Sequence, residues 1–133
     1  MNTLSGTIES INVDGQLSLV HILVGTVRLT AVVIDTPQTA PYLQLGHAVQ
    51  VLFKESEVVM GRSEELPVSL QNRFSGTVAS IRSGGLLSKV RLDTPVGPIV
   101  SVITNKAVEQ LGLREGMPAT ALIKTNEMML AAC

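Results

Sequence analysis

The sequence predicts an all-β fold with short helices, built as two tandem five-stranded Greek-key barrels of the OB type. Three observations support this fold class: an internal repeat divides the chain into two units, short runs alternate apolar and polar residues as strands do, and turn residues separate these runs. With 133 residues in two units, each core is small. Packing between units or between chains is therefore expected to supply part of the stability.

The internal repeat is visible when the sequence is shifted by 70 positions. Residues 2–63 then align with residues 72–133 without a gap, and sixteen positions are identical. Chance would give about four identities at ordinary composition. The clearest match aligns Leu4–Ile11 with Phe74–Ile81, and Lys54 aligns with Lys124. We therefore predict two units, 1–63 and 68–133, joined by a linker around Gly61–Pro67.

The second unit shows five strand-like runs and one helical run. Helical spacing of apolar residues begins near Asn105, with Thr104 or Asn105 as the N-cap and Gly112 as the residue that ends the helix. The last two strands are expected to close their own unit. The predicted strands are Phe74–Ser80, Leu86–Asp93, Ile99–Thr104, Ala119–Lys124 and Met128–Ala131.

The first unit follows the same order. Asp14-Gly15 is predicted to form a hairpin turn between the strands Gly6–Asn12 and Leu17–Val24. The helix is predicted to shrink to a single turn, because Pro41 would remove a hydrogen bond from a longer helix that began at Pro37.

Composition and charge argue against several classes of function. No apolar run approaches the roughly 18 residues of a membrane span, and the N-terminus shows no secretion signal, so a cytoplasmic protein without a membrane partner is expected. The net charge of −1 and the aromatic content of 2% disfavour a nucleic-acid groove. Residues 1–66 carry 3 bases and 7 acids, whereas residues 67–133 carry 7 bases and 4 acids, so the second half is the better anion binder.

The sequence shows no catalytic or metal-binding constellation. His21 and His47 align with Arg91 and Met117 in the repeat, which disfavours a shared metal role. Cys133 has no second cysteine to pair with and is interpreted as an ordinary thiol. No Ser-His-Asp, paired-carboxylate or zinc spacing stands out, so no enzyme activity is expected.

The segment Ser69–Val78 resembles the opening S-A-R-N-x-x-x-G-T-V of Mop domains, which are also called molbindin or TOBE domains. Three later segments resemble the family's A-I-T, L-G-L-x-x-G and I-K-A-x segments in the same order and spacing; they are Val102–Thr104, Leu111–Gly116 and Ala121–Asn126. The resemblance covers essentially all of residues 69–131, and the repeat extends it to two tandem Mop/TOBE units.

The resemblance implies a protein that binds molybdate or tungstate without catalysis, for intracellular storage, buffering or homeostasis. It also implies that the oxyanion lies between neighbouring units and that the chain forms a homo-oligomer, commonly a trimer of two-unit chains. Such domains also occur in molybdate-responsive regulators and transporter ATPases. This sequence contains neither a helix-turn-helix nor a Walker A motif, which favours the stand-alone form.

Candidate ligand-binding residues follow from the resemblance and from the chemistry of the oxyanion. Molybdate already has four oxygens around its metal, so the protein must donate hydrogen bonds rather than supply Cys or His ligands. The candidate donors are the Ser69 hydroxyl, the backbone N–H groups of Leu70, Gln71 and Asn72, the Thr104 and Thr125 hydroxyls, the Lys124 ammonium and, in the first unit, Lys54.

Each candidate also has a purely structural interpretation. Thr104 could be only a helix cap, Lys124 an edge-strand lysine and Ser69 a linker serine. Asn72, which is repeated as Asn2, could instead hold the backbone of the first strand.

The match to the family is incomplete, above all in the first unit. Gln71 stands where the family has arginine, which removes a cation unless only its backbone N–H contacts the ligand. In the first unit no serine lies three residues before Asn2, Thr104 corresponds to Ile34, and Thr125 corresponds to Glu55, an acid that would repel an oxyanion. We therefore expect the more complete site in the second unit.

Two other functions are compatible with the fold. An oxyanion-sensing regulatory or assembly module would act by contacting a protein partner. A nucleic-acid binding module would need a basic groove with stacking aromatic residues, and the chain offers only Tyr42, Phe53 and Phe74 as aromatics.

Overall fold

The structure is a computed structural model that describes residues 1–133, and it confirms an all-β fold with short helices. Two 3-10 helices, Glu55–Glu57 and Thr125–Glu127, occupy equivalent places in the two units. The strands are β1 (Asn2–Asp14), β2 (Leu17–Val24), β3 (Val27–Val33), β4 (Ala48–Phe53), β5 (Val59–Gly61), β6 (Asn72–Ser83), β7 (Leu87–Thr94), β8 (Gly97–Thr104), β9 (Pro118–Ile123) and β10 (Met129–Ala132), and the helix α1 (Asn105–Leu111) directly follows β8.

The strands form two five-stranded sheets, and each sheet takes one strand from the other unit. The first has the order β10-β4-β1-β2-β3 and the second β5-β9-β6-β7-β8. Met129 of β10 pairs with Leu52 of β4, and Val59 of β5 pairs with Leu122 of β9. The expectation that the last strand closes its own unit is therefore wrong, because the two units exchange their final strands reciprocally.

The first strand of each unit is long and bent. β1 pairs with β4 through its first half and with β2 through its second half, and the register shifts between Ile8 and Ser10. β6 has the same bulge between Val78 and Ser80. Such a bulge bends a strand, so that its two halves can pair with different strands of a small barrel. The repeated glycine has a steric reason here, because a Cβ at Gly6 would lie 2.6 Å from the Ile22 side chain.

A single apolar core runs through both units. Leu4, Ile22 and Leu29 of the first unit belong to the same buried cluster as Val90 and Leu92 of the second. At the centre, the rings of Phe53 and Phe74 stack with their centroids 6.0 Å apart. The units therefore share the apolar surface that neither could bury alone.

The helix of the second unit agrees with the prediction, and the first unit has only a turn. The Thr104 hydroxyl accepts a hydrogen bond from the Ala107 N–H at 3.0 Å, and Gly112 ends α1 in the left-handed conformation with φ 64°. In the first unit the Thr36 carbonyl accepts hydrogen bonds from the Thr39 and Ala40 N–H groups, which makes a single turn. The predicted hairpin turn lies one residue later than expected, at Gly15-Gln16.

The exchanged strand β10 is also held by a side chain of the first unit. The Tyr42 hydroxyl donates a hydrogen bond to the Leu130 carbonyl at 3.4 Å. Burial, with a smaller effect of the Asp35 charge, raises the pKa of the Tyr42 phenol above its ordinary value, so the phenol stays protonated and able to donate at neutral pH. No helix of the chain is long and apolar enough to cross a membrane.

Candidate functional site

Two equivalent junctions form where the first strand of one unit meets the third strand of the other. At the Asn72 junction, the Asn72 side chain donates to the Thr30 carbonyl at 2.8 Å and accepts from the Thr30 N–H at 2.7 Å. At the Asn2 junction, Asn2 makes the same two bonds to Val100, at 2.8 and 2.9 Å. Both asparagines are buried. Their side chains therefore replace a strand neighbour for β3 and β8.

Two chain segments that carry most of the predicted site residues leave the sheet at the Asn72 junction. Asn72 pairs with Ile123 at the end of the ladder between β6 and β9, so Gln71 and Lys124 leave that ladder side by side. Lys124 precedes the 3-10 helix that begins at Thr125, and this helix packs against β3. We call the residues gathered here the Lys124 cluster: Ser69, Leu70, Gln71, Asn72, Lys124 and Thr125.

Electrostatics at the Lys124 cluster favour an anion. Lys124 is exposed, and its ammonium takes part in none of the four ion pairs of the chain. Thr125, which follows it, is partly buried and carries a hydroxyl. Both polar atoms of the Asn72 amide bond Thr30, so Asn72 has the predicted role of holding backbone, but the backbone that it holds is β3 of the opposite unit and not the first strand.

The linker that carries Ser69 is held in place by Arg73, a residue that the sequence analysis did not select. The Arg73 guanidinium donates to the carbonyls of Leu70 at 2.9 Å, Val68 at 2.9 Å and Glu64 at 2.6 Å. Its repeat counterpart is Thr3, so the repeat gave no signal for this role. Arg73 thus fixes the backbone from which Ser69, Leu70 and Gln71 would contact a ligand.

Two predicted residues lie away from this cluster within one chain. Thr104 ends β8, four residues beyond Val100 and so about 13 Å along the strand from the Asn2 junction. Its hydroxyl is used as the N-cap of α1. Lys54 precedes the 3-10 helix at Glu55–Glu57, which packs against β8. The structure therefore places Lys54 near the Asn2 junction and Thr104 at the end of β8 beyond that junction.

Glu55, the acidic residue of the Asn2 junction, forms ion pairs with two cations. Glu55 lies 3.5 Å from the Lys89 ammonium and 3.5 Å from the N-terminal amine of Met1. At the Asn72 junction the corresponding residue, Thr125, carries no charge. The two junctions share one backbone arrangement and differ in their charges.

The donors at the Lys124 cluster suit an oxyanion better than a metal ion. No group of three or more His, Cys, Asp or Glu side chains converges in the chain. His21, the histidine nearer this junction, shares a 3.1 Å hydrogen bond with the Thr30 hydroxyl. Hydroxyl, amide and ammonium groups donate hydrogen bonds, and donors are what a tetrahedral oxyanion requires.

Comparisons with known proteins agree with this geometry. The TOBE domain family matches residues 69–130. Molybdenum-pterin-binding protein 1 of Clostridium pasteurianum is 34% identical over 68 residues, which cover 50% of this chain and 100% of that protein. The molybdenum-pterin-binding protein MopA of Rhodobacter capsulatus is 33% identical over 129 residues, which cover 94% of this chain and 46% of MopA.

Longer relatives and a solved structure extend the comparison over both units. The molybdenum transport protein ModE of Herbaspirillum seropedicae is 29% identical over 98% of this chain, and the match covers 49% of ModE. The chain thus spans about half the length of ModE and MopA. The structure of the cytoplasmic molybdate-binding protein ModG with molybdate bound superposes with a TM-score of 0.92 at 29% identity, covering 99% of this chain and 96% of ModG. The chain therefore belongs to the family of the molybdenum-pterin-binding proteins, and its second unit matches the TOBE domain.

Proposed function

We propose that the chain binds molybdate or tungstate as an intact oxyanion in the cytoplasm, and that it stores or buffers the oxyanion without catalysing a reaction. The observation that carries this proposal is the Lys124 cluster, where Lys124 takes part in no ion pair, leaves the β6–β9 ladder at the same end as Gln71, and is followed by Thr125. The ModG structure, which has molybdate bound, shares the fold of both units.

The physical requirement is to offset the cost of removing a dianion from water. A buried charge without partners costs far more than a protein can supply, so a site needs several donors and at least one cation. The Lys124 cluster offers one ammonium, two hydroxyls and the backbone N–H groups of Leu70 and Gln71. The Arg73 contacts restrict the linker, which reduces the entropy lost when a ligand binds.

The two units are proposed to bind with different strength. Lys124 is followed by a neutral hydroxyl residue, whereas Lys54 is followed by Glu55. The two cations near Glu55 reduce its repulsion of an oxyanion but leave a carboxylate inside the junction. We therefore place the stronger site in the second unit.

A pair of matched substitutions tests this placement. Lys124→Ala is expected to weaken molybdate binding about thirty-fold or more, because removing one partner of a desolvated charge pair costs about 2–5 kcal/mol. Lys54→Ala is expected to have the smaller effect, since the Glu55 carboxylate beside Lys54 weakens the attraction of that junction for an oxyanion. Isothermal titration calorimetry measures both, and circular dichroism checks the fold. If Lys124→Ala binds like the parent, or Lys54→Ala loses more, the placement is wrong.

We further propose that the complete site needs a second copy of the chain. Thr104 ends β8, the strand that Asn2 holds, whereas the Lys124 cluster lies at the Asn72 junction, so we place a site that uses both between neighbouring chains. Exposed apolar side chains on the first unit, including Ile34 at 79% and Leu45 at 66%, provide surface for such a contact. We propose a homo-oligomer, with a trimer as the favoured form.

A sensing or assembly module is the second candidate function. The observation that favours it is the alignment of 98% of this chain with about half of ModE, so a chain of this kind also occurs joined to other sequence. A sensing module must change shape or surface when the oxyanion binds. Molybdate-dependent protection from hydrogen exchange around the exposed Ile34 and Leu45 would favour sensing. Protection limited to the Lys124 cluster would favour storage.

A further inference from the structure

A basic cleft lies on the second unit, outside the Lys124 cluster. We call it the arginine cleft and define it by its lining residues Ser80, Arg82, Lys89, Arg91 and Val100. Its volume is about 220 Å³. The sequence shows that the second half of the chain is basic, but it does not show that these charges lie together.

Strand register explains why the three cations meet. Arg82 of β6 pairs with Lys89 of β7, and Ser80 pairs with Arg91. Val90 and Leu92 point into the core, so Lys89 and Arg91 point to the outer face by the alternation of a strand. Val100 also lines the cleft; its N–H and carbonyl both bond the Asn2 side chain, and it pairs with Arg91 of β7. The cations therefore project from a rigid sheet rather than from a loop.

The charges of the cleft are only weakly compensated. Arg82 takes part in no ion pair, Lys89 lies 3.5 Å from Glu55, and Arg91 lies 3.4 Å from Asp93. The paired side chains of Lys89 and Arg91 are 58% and 53% exposed. Exposed pairs of this kind are weak, so an incoming anion can replace the carboxylates at little cost.

The repeat shows that the fold does not need these cations. The same positions in the first unit are Asn12, Leu19 and His21, and β1 and β2 form the same ladder with them. Three like charges on one face repel each other and bring no packing benefit. The ladder therefore forms without them, and only the exposed ion pairs of Lys89 and Arg91 compete with a ligand for these charges.

We propose that the arginine cleft binds a small phosphorylated molecule, at a site separate from the Lys124 cluster. Guanidinium groups bind phosphate oxygens in a planar, bidentate manner, and two of the three cations are arginines. The cleft has several times the volume of a single water, about 30 Å³, so it has room for more than one anionic group. A pyrophosphate or a phosphate ester fits this chemistry, and the site does not depend on molybdate binding elsewhere.

Titration of the full chain with pyrophosphate at low ionic strength tests this site, because salt would screen exposed charges. The key variant combines Arg82→Asn with Arg91→His, which installs the residues that the first unit already carries at these positions. We expect it to lose about tenfold or more in affinity for pyrophosphate, since each arginine makes charged hydrogen bonds. Its molybdate binding should match that of the parent.

Two controls separate the cleft from general electrostatics and from the molybdate site. Lys106→Asn combined with Arg114→His removes two exposed cations from elsewhere in the same unit and should leave pyrophosphate affinity nearly unchanged. Lys124→Ala should leave pyrophosphate binding intact, and saturating molybdate should not compete. The proposal is overturned if the parent does not bind pyrophosphate at millimolar concentration, or if either control variant loses as much pyrophosphate affinity as the cleft variant. It is also overturned if molybdate competes with pyrophosphate, or if a single-stranded oligonucleotide binds the cleft more tightly than pyrophosphate does.

Discussion

Two asparagine side chains make the hydrogen bonds that a neighbouring strand would otherwise make. Asn2 and Asn72 each donate to and accept from one peptide unit of the opposite barrel, and both are almost fully buried. An amide side chain carries a donor and an acceptor in the arrangement of a peptide group, so it can satisfy both groups of a buried edge residue. The sequence showed that this asparagine is repeated, but a repeat does not reveal which backbone it contacts.

Replacement of either asparagine should destabilise the fold by a similar amount. Asn72→Ala leaves the Thr30 N–H and carbonyl without their partners, and an unsatisfied buried polar group costs about 1–3 kcal/mol. Asn2→Ala should cost about the same, because Val100 has the equivalent contacts. Urea unfolding measures both, with the exposed Asn126→Ala as a control expected within about 0.5 kcal/mol of the parent. Loss of molybdate binding by Asn72→Ala at full stability would instead indicate direct ligand contact.

Among the secondary-structure elements, the sequence predicted the strands better than their pairing. Alternation of apolar residues located β7, β9 and β10 within a few residues, and the periodicity change located α1. The exchange of β5 and β10 was missed, because alternation indicates which face of a strand is buried and not which strand lies beside it. The repeat increased this ambiguity, since both partner strands have related sequences.

The strand exchange predicts the behaviour of an isolated second unit. Residues 68–133 contain β10 but lack β5, so one edge of β9 has no neighbour in a monomer. Because β5 and β10 are equivalent in the repeat, β10 of a second copy can fill that place. We expect this half-chain to be a dimer at micromolar concentration by analytical ultracentrifugation. A folded monomer with the thermal stability of the full chain would show that the exchange contributes little.

On the scale of the whole molecule, the two units share a fold but differ in their outer surfaces. Exposed Ile34 and Leu45 of the first unit correspond to Thr104 and Glu115 of the second, and Leu19 corresponds to Lys89. An apolar face suits contact with another chain, whereas a basic face suits an anion. The duplicated units have therefore diverged on the outside while keeping one core.

The exposed apolar side chains of the first unit, including Ile34 and Leu45, predict that the chain forms an oligomer. We expect the chain to be a trimer at micromolar concentration by light scattering. Ile34→Thr combined with Leu45→Glu installs the residues of the second unit at these exposed positions and should shift the protein towards monomer without unfolding it. Arg28→Ala, which also changes an exposed first-unit residue, should leave the assembly unchanged. A parent protein that is monomeric under these conditions would contradict the prediction.

The candidate site was only partly predictable from the sequence. Family spacing selected Ser69–Asn72, Lys124 and Thr125, and strand register places the ends of the two segments that carry them side by side. The position of Thr104 beyond the Asn2 junction depends on how β8 packs, which no local pattern shows. Arg73 and the arginine cleft were missed for a related reason, because their roles come from contacts between segments that are distant in the sequence.

The linker between β5 and β6 has a thermodynamic effect that goes beyond connecting two barrels. Two separate units would have to find each other in solution, so their pairing would weaken on dilution. A short tether gives the partner unit an effective concentration on the order of millimolar, whatever the amount of protein present. The ten residues from Arg62 to Gln71, fastened at Glu64, Val68 and Leu70 by Arg73, keep this tether compact. The paired barrels should therefore persist at concentrations at which an untethered pair would dissociate.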